Sequence, residues 1–280
     1  MGNILFLCQR IPYPPDKGDK IRSYRALMHL KKNHTVHLGT FLDDPDDERH
    51  VAHVEGLCGS SKIVRLSPLM ARLKSLPGFL TGEALSQRYF ASKDLNAWAR
   101  DICEKSSIDA VYVFSSVMAQ YVMEMPKLTA PVIIDYVDVD SEKFRQYASE
   151  RGLISKIVYG REGRKLLAFD RHAGVSAKAC LFVSDAEAAL FKTLAPELAD
   201  KTFGLSNGID TDYFDPMGDF ASKAEKLDFG ECPNLVFTGR MDYKPNIDAV
   251  LWFAADVLPI IREQEPGARF IIAGAAPTQE

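Results

Sequence analysis

The segment from Gln9 to Arg22 reads QRIPYPPDKGDKIR and directly follows an apolar run at Ile4–Cys8. Its prolines stiffen the connection. Gly18 lets a backbone come close to a ligand, and a helix beginning at Ile21 turns its positive end towards an anion. Lys17, Lys20 and Arg22 add positive charge at the same place. Such a loop suits a phosphorylated ligand; the plainer alternative is a rigid connection with solvated lysines. No G-x-G-x-x-G fingerprint is present, which argues against a nicotinamide or flavin dinucleotide.

A second group closes the run Val132–Val137 as Asp135, Tyr136, Val137, Asp138, Val139, Asp140 and Ser141. Carboxylates at a strand's carboxyl end sit where α/β sheets place their chemistry. Asp135 and Asp138 need not point the same way, because alternation breaks where a strand becomes a loop. Asp138 is the functional candidate, and Asp140 or Ser141 is expected to cap the next helix. A third group, TGRMDYKPN from Thr238 to Asn246, offers Arg240 as a fork and Lys244 as a point charge for two phosphates. Gly239 leaves room for the backbone there, and Asn246 can cap a helix beginning at Ile247. Surface charge is the alternative reading. Asn207 and Gly208 open a turn signature, Asn-Gly-Ile-Asp, expected at the crossing between domains, with a plain turn and a ligand contact both open.

The elements that must position these residues alternate in type. Strands are predicted at Ile4–Cys8, Thr35–Phe41, Lys62–Leu66, Ala110–Phe114, Val132–Val137, Ala179–Val183 and Thr202–Leu205. Most are continuous apolar runs, as strands covered on both faces should be. Helices are predicted at Ile21–Lys32, Asp94–Ser106, Glu142–Ala168 (broken at Gly152 or Gly160) and Ala186–Leu194, the last with a capping box from Ser184 to Glu187. This rhythm implies a doubly wound parallel sheet. Residues 215–232 lose periodicity and read as a linker or domain entry; the rhythm then restarts with strands at Leu235–Thr238 and Arg269–Ala273 around a helix at Asn246–Ile261. The expected organisation is a first domain over residues 1–214, the linker over 215–232, and a second domain over 233–280. A cleft between two such sheets would face the carboxyl ends of their strands.

The chain has 280 residues, 46% hydrophobic and 26% charged, with a formal net charge of −4. That is an ordinary globular composition, against disorder and against a general nucleic-acid coat. No secretory signal or membrane-spanning run is visible, since Asp256 and Pro259 break the longest apolar stretch. Five scattered cysteines without Cys-x-x-Cys spacing, with Cys8 and Cys180 in strand-like runs, read as free thiols, and no zinc site is visible. The expected compartment is the cytoplasm. Two stretches combine basic and apolar residues: Lys143–His172 can dock on anionic lipid, the commoner alternative being a solvated face that covers the core, and Ser67–Leu80 is a second candidate membrane or acceptor surface. The acidic run Asp43–Glu48 is expected to be an exposed loop.

IPYPPDKGDKIRSYRAL, DYVDVDSEKFRQYA, FVSDAEAALF, NGIDTDYF and FTGRMDYKPNIDAVLWF together resemble glycosyltransferase family 4, of GT-B fold. The likeness is closest to the sugar transferases of PEP-CTERM/exosortase and exopolysaccharide systems. It implies two Rossmann-type doubly wound domains and a retaining transfer from a nucleotide-sugar donor to a lipid-linked or saccharide acceptor. It implies no cofactor and no metal, because basic side chains and helix N-termini neutralise the diphosphate. On this likeness Gly18, Arg240 and Lys244 would bind the donor diphosphate, with Asn207 and Gly208 near the donor or the domain crossing. Asp138 would orient a sugar or acceptor hydroxyl. The sequence departs from the family in having a single glycine in the first loop, and Lys244-Pro245 in place of Lys-Gly. The family's Glu-x7-Glu element is expected beyond Glu280, so the second domain is expected to be incomplete. A nucleotide-sugar 2-epimerase of the same fold and a non-catalytic membrane- or acceptor-binding module are the competing functions.

Overall fold

The computed structural model describes residues 1–123, 125, 128–149, 152–212, 214–215 and 232–277. Its contacts define two compact units, Met1–Gly208 and Ile209–Glu280. Of the expected linker, residues 216–231 lie outside the described residues.

The first unit is built on strands β1 (Gly2–Cys8), β2 (His34–Leu42), β3 (Ser60–Arg65), β4 (Ile108–Phe114), β5 (Val132–Val137), β6 (Ala179–Phe182) and β7 (Thr202–Gly204). They form one seven-stranded sheet in the order β3-β2-β1-β4-β5-β6-β7. Every neighbouring pair is parallel. Observed strands agree with the predicted ones to within about two residues at each end. Adjacent β1 and β4 mark the point where the strand order reverses, the place at which open α/β sheets bind ligands.

The apolar runs are continuous because both faces of the sheet are covered. Along β1, Leu5 and Leu7 join a core with Val111, Val113 and Ile134, capped by Leu95 and Leu166. Phe6 and Cys8 point the other way, to Val36, Leu38 and Leu27. The covering helices are α1 (Gly18–Leu30), α2 (Val51–Glu55), α3 (Pro68–Ser75), α4 (Gly78–Thr81), α5 (Leu85–Tyr89), α6 (Lys93–Lys105), α7 (Asp140–Ser149), α8 (Leu153–Ser176) and α9 (Asp185–Leu194). The long predicted helix breaks at Gly152, which caps α8, whereas Gly160 stays helical. Prolines 68 and 77 and glycines 78 and 82 divide the segment after β3 into α3, α4 and α5, three short helices that periodicity does not reveal. Half of the predicted capping box forms. Ser184 Oγ accepts the Glu187 N–H, but the Glu187 carboxylate accepts the N–H of Val139 and so ties α9 to the end of β5.

The second unit pairs β8 (Asn234–Thr238) with β9 (Arg269–Ala273) in parallel. Between them run α10 (Lys244–Trp252), a π turn at Phe253–Val257, and α11 (Leu258–Gln264). The π turn precedes Pro259, whose missing N–H and bulky ring do not fit a regular α ladder.

Cys8 and Cys180 are buried free thiols, as expected, and burial pushes Cys8 up to about 12. Asp170 on α8 is also buried, and its Oδ1 has no hydrogen-bonding partner among the described residues. Burial pushes its carboxyl up to about 8, against a hydrogen bond from Ser116 that lowers it. The folded chain therefore holds this proton over a range in which the unfolded chain, titrating near pH 4, has lost it. Stability attributable to Asp170 is present below about pH 4 and falls by up to about 1.4 kcal/mol per pH unit towards pH 8. Denaturant melts of Asp170→Asn between these limits should show a flatter pH dependence than the parent. An identical slope would show that Asp170 does not titrate in this way.

Candidate functional site

Arg22, in the second turn of α1, crosses the carboxyl edge of the sheet with its guanidinium out of water. Its Nε and Nη2 donate to the two oxygens of Asp135 at 2.8 and 3.0 Å. Asp135 is on β5 and fully buried, and it also accepts the Tyr112 hydroxyl of β4 at 2.6 Å. Burial, followed by the Asp135 charge, raises the pKa of that phenol. Arg22 Nη1 donates to the Leu205 carbonyl at 2.6 Å and to Asn207 Oδ1 at 2.9 Å. One side chain thus fastens α1, β5 and the segment after β7.

The other cations of the first loop are similarly engaged. Lys20, buried, meets buried Asp47 at 2.6 Å; Lys17 meets Asp44 at 3.3 Å; Arg10 forks onto Asp43 and reaches Asp19 at 2.8 Å. This corrects two expectations. Lys17, Lys20 and Arg22 are not spare charge for an anion, and Asp43–Glu48 is not merely a solvated loop. Parallel neighbours β1 and β2 deliver their following loops to the same edge, where the acidic loop neutralises the basic one. The matching signs of the two segments were the available signal.

What the start of α1 leaves open is backbone. Lys17 caps α1 without a side-chain hydrogen bond, leaving the first N–H groups of the helix uncapped. At Gly18 an added Cβ would meet nothing within 4 Å, so the fold does not require glycine and the space beside it is open.

Asp138 lies one bulge beyond Asp135. The β5–β6 register shifts between Asp135 and Val137, and Val137 takes φ 71°, a rare conformation for a β-branched residue. Ser115, after β4, also has φ 71°. Strained backbone of this kind clusters at functional sites. The break sends Asp135 inward and leaves Asp138 half-buried, with Oδ2 accepting from Lys143 Nζ at 2.6 Å. Lys143 also meets Asp140 at 3.2 Å. Burial would lower the Lys143 pKa, but Asp140 and Asp138 raise it on balance. The expected helix cap is not formed among the described residues: Asp140 turns to Lys143, and buried Ser141 Oγ has no partner there. Beside this group, at the β1–β4 switch point, a cavity of about 270 Å³ is lined by Gln9, Ser115, Ser116, Asp140, Lys143 and Tyr147.

In the second unit, Gly239 follows β8 and donates its N–H to the Ala273 carbonyl. A Cβ on Gly239 would press on the Asn246 amide at 2.7 Å, so a larger residue there would displace that side chain. Arg240 forks onto Asp242 at 3.0 and 2.7 Å, and Lys244 Nζ meets Asp248 at 2.9 Å. All four groups are solvent-exposed at their tips. Asn246 does not cap a helix from Ile247. The helix starts at Lys244, and the Asn246 side chain instead donates to the Arg240 carbonyl at 2.9 Å. Gly18, Asp138, Asn207 and Gly208 thus share the first unit's carboxyl edge, and Arg240 and Lys244 the corresponding edge of the second.

No protein-family profile and no curated protein matches the chain. Solved structures do. Sucrose-phosphate synthase from Thermosynechococcus elongatus superposes with a TM-score of 0.63 at 15% identity, covering 100% of this chain and 64% of its own. HepE from Anabaena, in complex with UDP-glucose, gives 0.55 at 16% identity, over 98% and 70%. The UDP-forming α,α-trehalose-phosphate synthase from Burkholderia vietnamiensis gives 0.54 at 13% identity, over 99% and 64%. The fold is therefore the α/β architecture of GT-B glycosyltransferases. The chain spans about two thirds of the length of these structures.

Truncating one partner of a buried ion pair costs about 3–5 kcal/mol, because the other charge stays buried. Arg22→Met should lose that much in denaturant unfolding. Combining it with Asp135→Leu should cost clearly less than the two single changes summed. Additive losses would show that the pair is not coupled.

Proposed function

We propose that the chain is the greater part of a retaining, family 4-type glycosyltransferase. It would move a sugar from a nucleotide-sugar donor to a lipid-linked or saccharide acceptor in exopolysaccharide or cell-surface glycan synthesis. Likeness over nearly the whole chain to a protein solved with UDP-glucose carries this reading. The first unit would serve the acceptor and the second the nucleotide sugar, the work being done in the cytoplasm, peripherally at the inner face of the membrane. The two basic-apolar stretches, Lys143–His172 and Ser67–Leu80, would supply the membrane contact.

In this reading the uncapped first turn of α1, beside Gly18, is one phosphate-binding element of the first unit. Arg240 and Lys244 are a phosphate-binding element of the second, exchanging Asp242 and Asp248 for phosphate oxygens. Exposed ion pairs contribute only about 0–1 kcal/mol, so the exchange costs little. Positive charge gathered at the leaving diphosphate stabilises it as the glycosidic bond breaks, and no metal or cofactor is called for. Asp138, fixed by Lys143, accepts a hydrogen bond from the sugar or acceptor hydroxyl and orients it. The hydroxyl's proton passes to the departing phosphate, so Asp138 need not be a base. Asn207 and Gly208 border the donor, with Asn207 held by Arg22.

Arg240→Ala should slow turnover of UDP-glucose at least about tenfold, about 1.4 kcal/mol of barrier. Gly18→Val should leave stability within about 0.5 kcal/mol, since its Cβ meets open space, while weakening UDP-glucose binding by about tenfold or more. Unchanged kinetics in Arg240→Ala, or unchanged binding in Gly18→Val, would remove that residue from the site. A product of inverted anomeric configuration would exclude retention. An epimerised nucleotide sugar formed without acceptor would identify the epimerase instead.

A further inference from the structure

We propose that the α3–α4 segment and the adjoining face of α8 form a single surface that docks on an anionic lipid bilayer. The proposal rests on the peripheral location given above, but not on the sugar chemistry.

α3 is inside out for a helix on a water-soluble protein. The residues it buries are the small ones, Ala71 and Ser75, spaced one turn apart. Its large apolar residues face outward. Leu69, Met70 and Leu73, with Leu76, Phe79 and Leu80 of the same segment, are between 41% and 92% exposed. Amphipathic helices of globular proteins turn this stripe to the core, and contiguous exposed apolar patches mark interaction surfaces.

Charge identifies the occupant. Residues 66–82 contain Arg72 and Lys74 and no acid. Packing then adds the basic face of α8. The Arg161 guanidinium lies 5.0 Å over the Phe79 ring and donates to the carbonyls of Gly78 and Glu83. One turn further along, Lys165 lies beside Gly82, with Arg164 next to it. Ile157, one turn before Arg161, is exposed as well. The acids at this junction are already engaged. Glu162 is buried and accepts the N–H groups of Leu85 and Ser86, and Glu83 pairs with Arg88. The two stretches that the sequence offers separately therefore meet at this junction, exposed apolar residues of one beside basic residues of the other.

That arrangement fits acyl chains and anionic headgroups. A second copy meeting the same patch across a two-fold axis would set like charges against each other. α3 also supplies Met70, Ala71 and Lys74 to the wall of a cavity of about 900 Å³, completed by Leu66, Tyr89 and Tyr121. Docking would hold this cavity at headgroup level, where a lipid-borne acceptor arrives.

Flotation of the purified chain with phosphatidylcholine vesicles, with and without phosphatidylglycerol, tests the proposal. Binding is expected to anionic vesicles, about tenfold or more above neutral ones, and to weaken with added salt. Leu73→Glu with Leu76→Glu, and separately Arg164→Glu with Lys165→Glu, should each abolish most of it. The altered side chains are exposed, so an unchanged thermal melt should accompany the loss. No flotation of the parent, equal binding to neutral vesicles, or full binding by either double variant would overturn it. So would a concentration-dependent dimer that Leu73→Glu with Leu76→Glu dissolves, which would give the face to a second copy. UDP-glucose titrated into the same samples separates the two readings. Donor binding without flotation removes only the membrane, and flotation without donor binding removes only the sugar chemistry.

Discussion

The buried ion pair between Arg22 and Asp135 is the constraint on which the carboxyl edge of the first unit depends. A guanidinium and a carboxylate withdrawn from water are tolerable only with every polar atom matched. Here the fork meets both carboxylate oxygens, Tyr112 adds a hydroxyl, and the remaining guanidinium nitrogen takes Leu205 and Asn207. Satisfying one side chain therefore fixes the start of α1, the end of β5 and the segment after β7 together. Those are the backbone segments that carry Gly18, Asp138, Asn207 and Gly208.

A related economy governs the loop before α1. Lys20, Lys17 and Arg10 are balanced by Asp47, Asp44 and Asp43, so a loop rich in charge is locally close to neutral. The first N–H groups of α1 are left without a side-chain cap. Arg240 and Lys244, in the second unit, are held by exposed pairs with Asp242 and Asp248, which in the proposed function give way to phosphate. In the first unit, the bulge and positive φ at Val137 separate two carboxylates three positions apart into one that is fully buried and one that is half-buried.

The parallel sheet was legible because strands covered on both faces must be apolar at every position, as Ile4–Cys8 and Val132–Ile134 are. Gly152 announced a helix break, and the carboxyl-end cluster at Asp135–Ser141 announced the edge. What could not be read were pairings over long separations. Arg22 and Asp135 lie 113 positions apart, and their partnership exists only once β1, β4 and β5 are neighbours. The same distance hid the joining of Ser67–Leu80 to α8, and the use of Glu187 by Val139 in preference to its local cap. Pro259 was the visible sign of the π turn, since a proline inside a helix needs the ladder to open.

In the proposed function the first turn of α1 and, in the second unit, the turn after β8 are each anion-binding elements for a nucleotide sugar. Amide hydrogen exchange with and without UDP-glucose tests this directly. Slowed exchange is expected at residues 18–20 and 239–244, with the interior strands β1 and β4 unchanged. Protection confined to other segments, or none at saturating UDP-glucose, would contradict it.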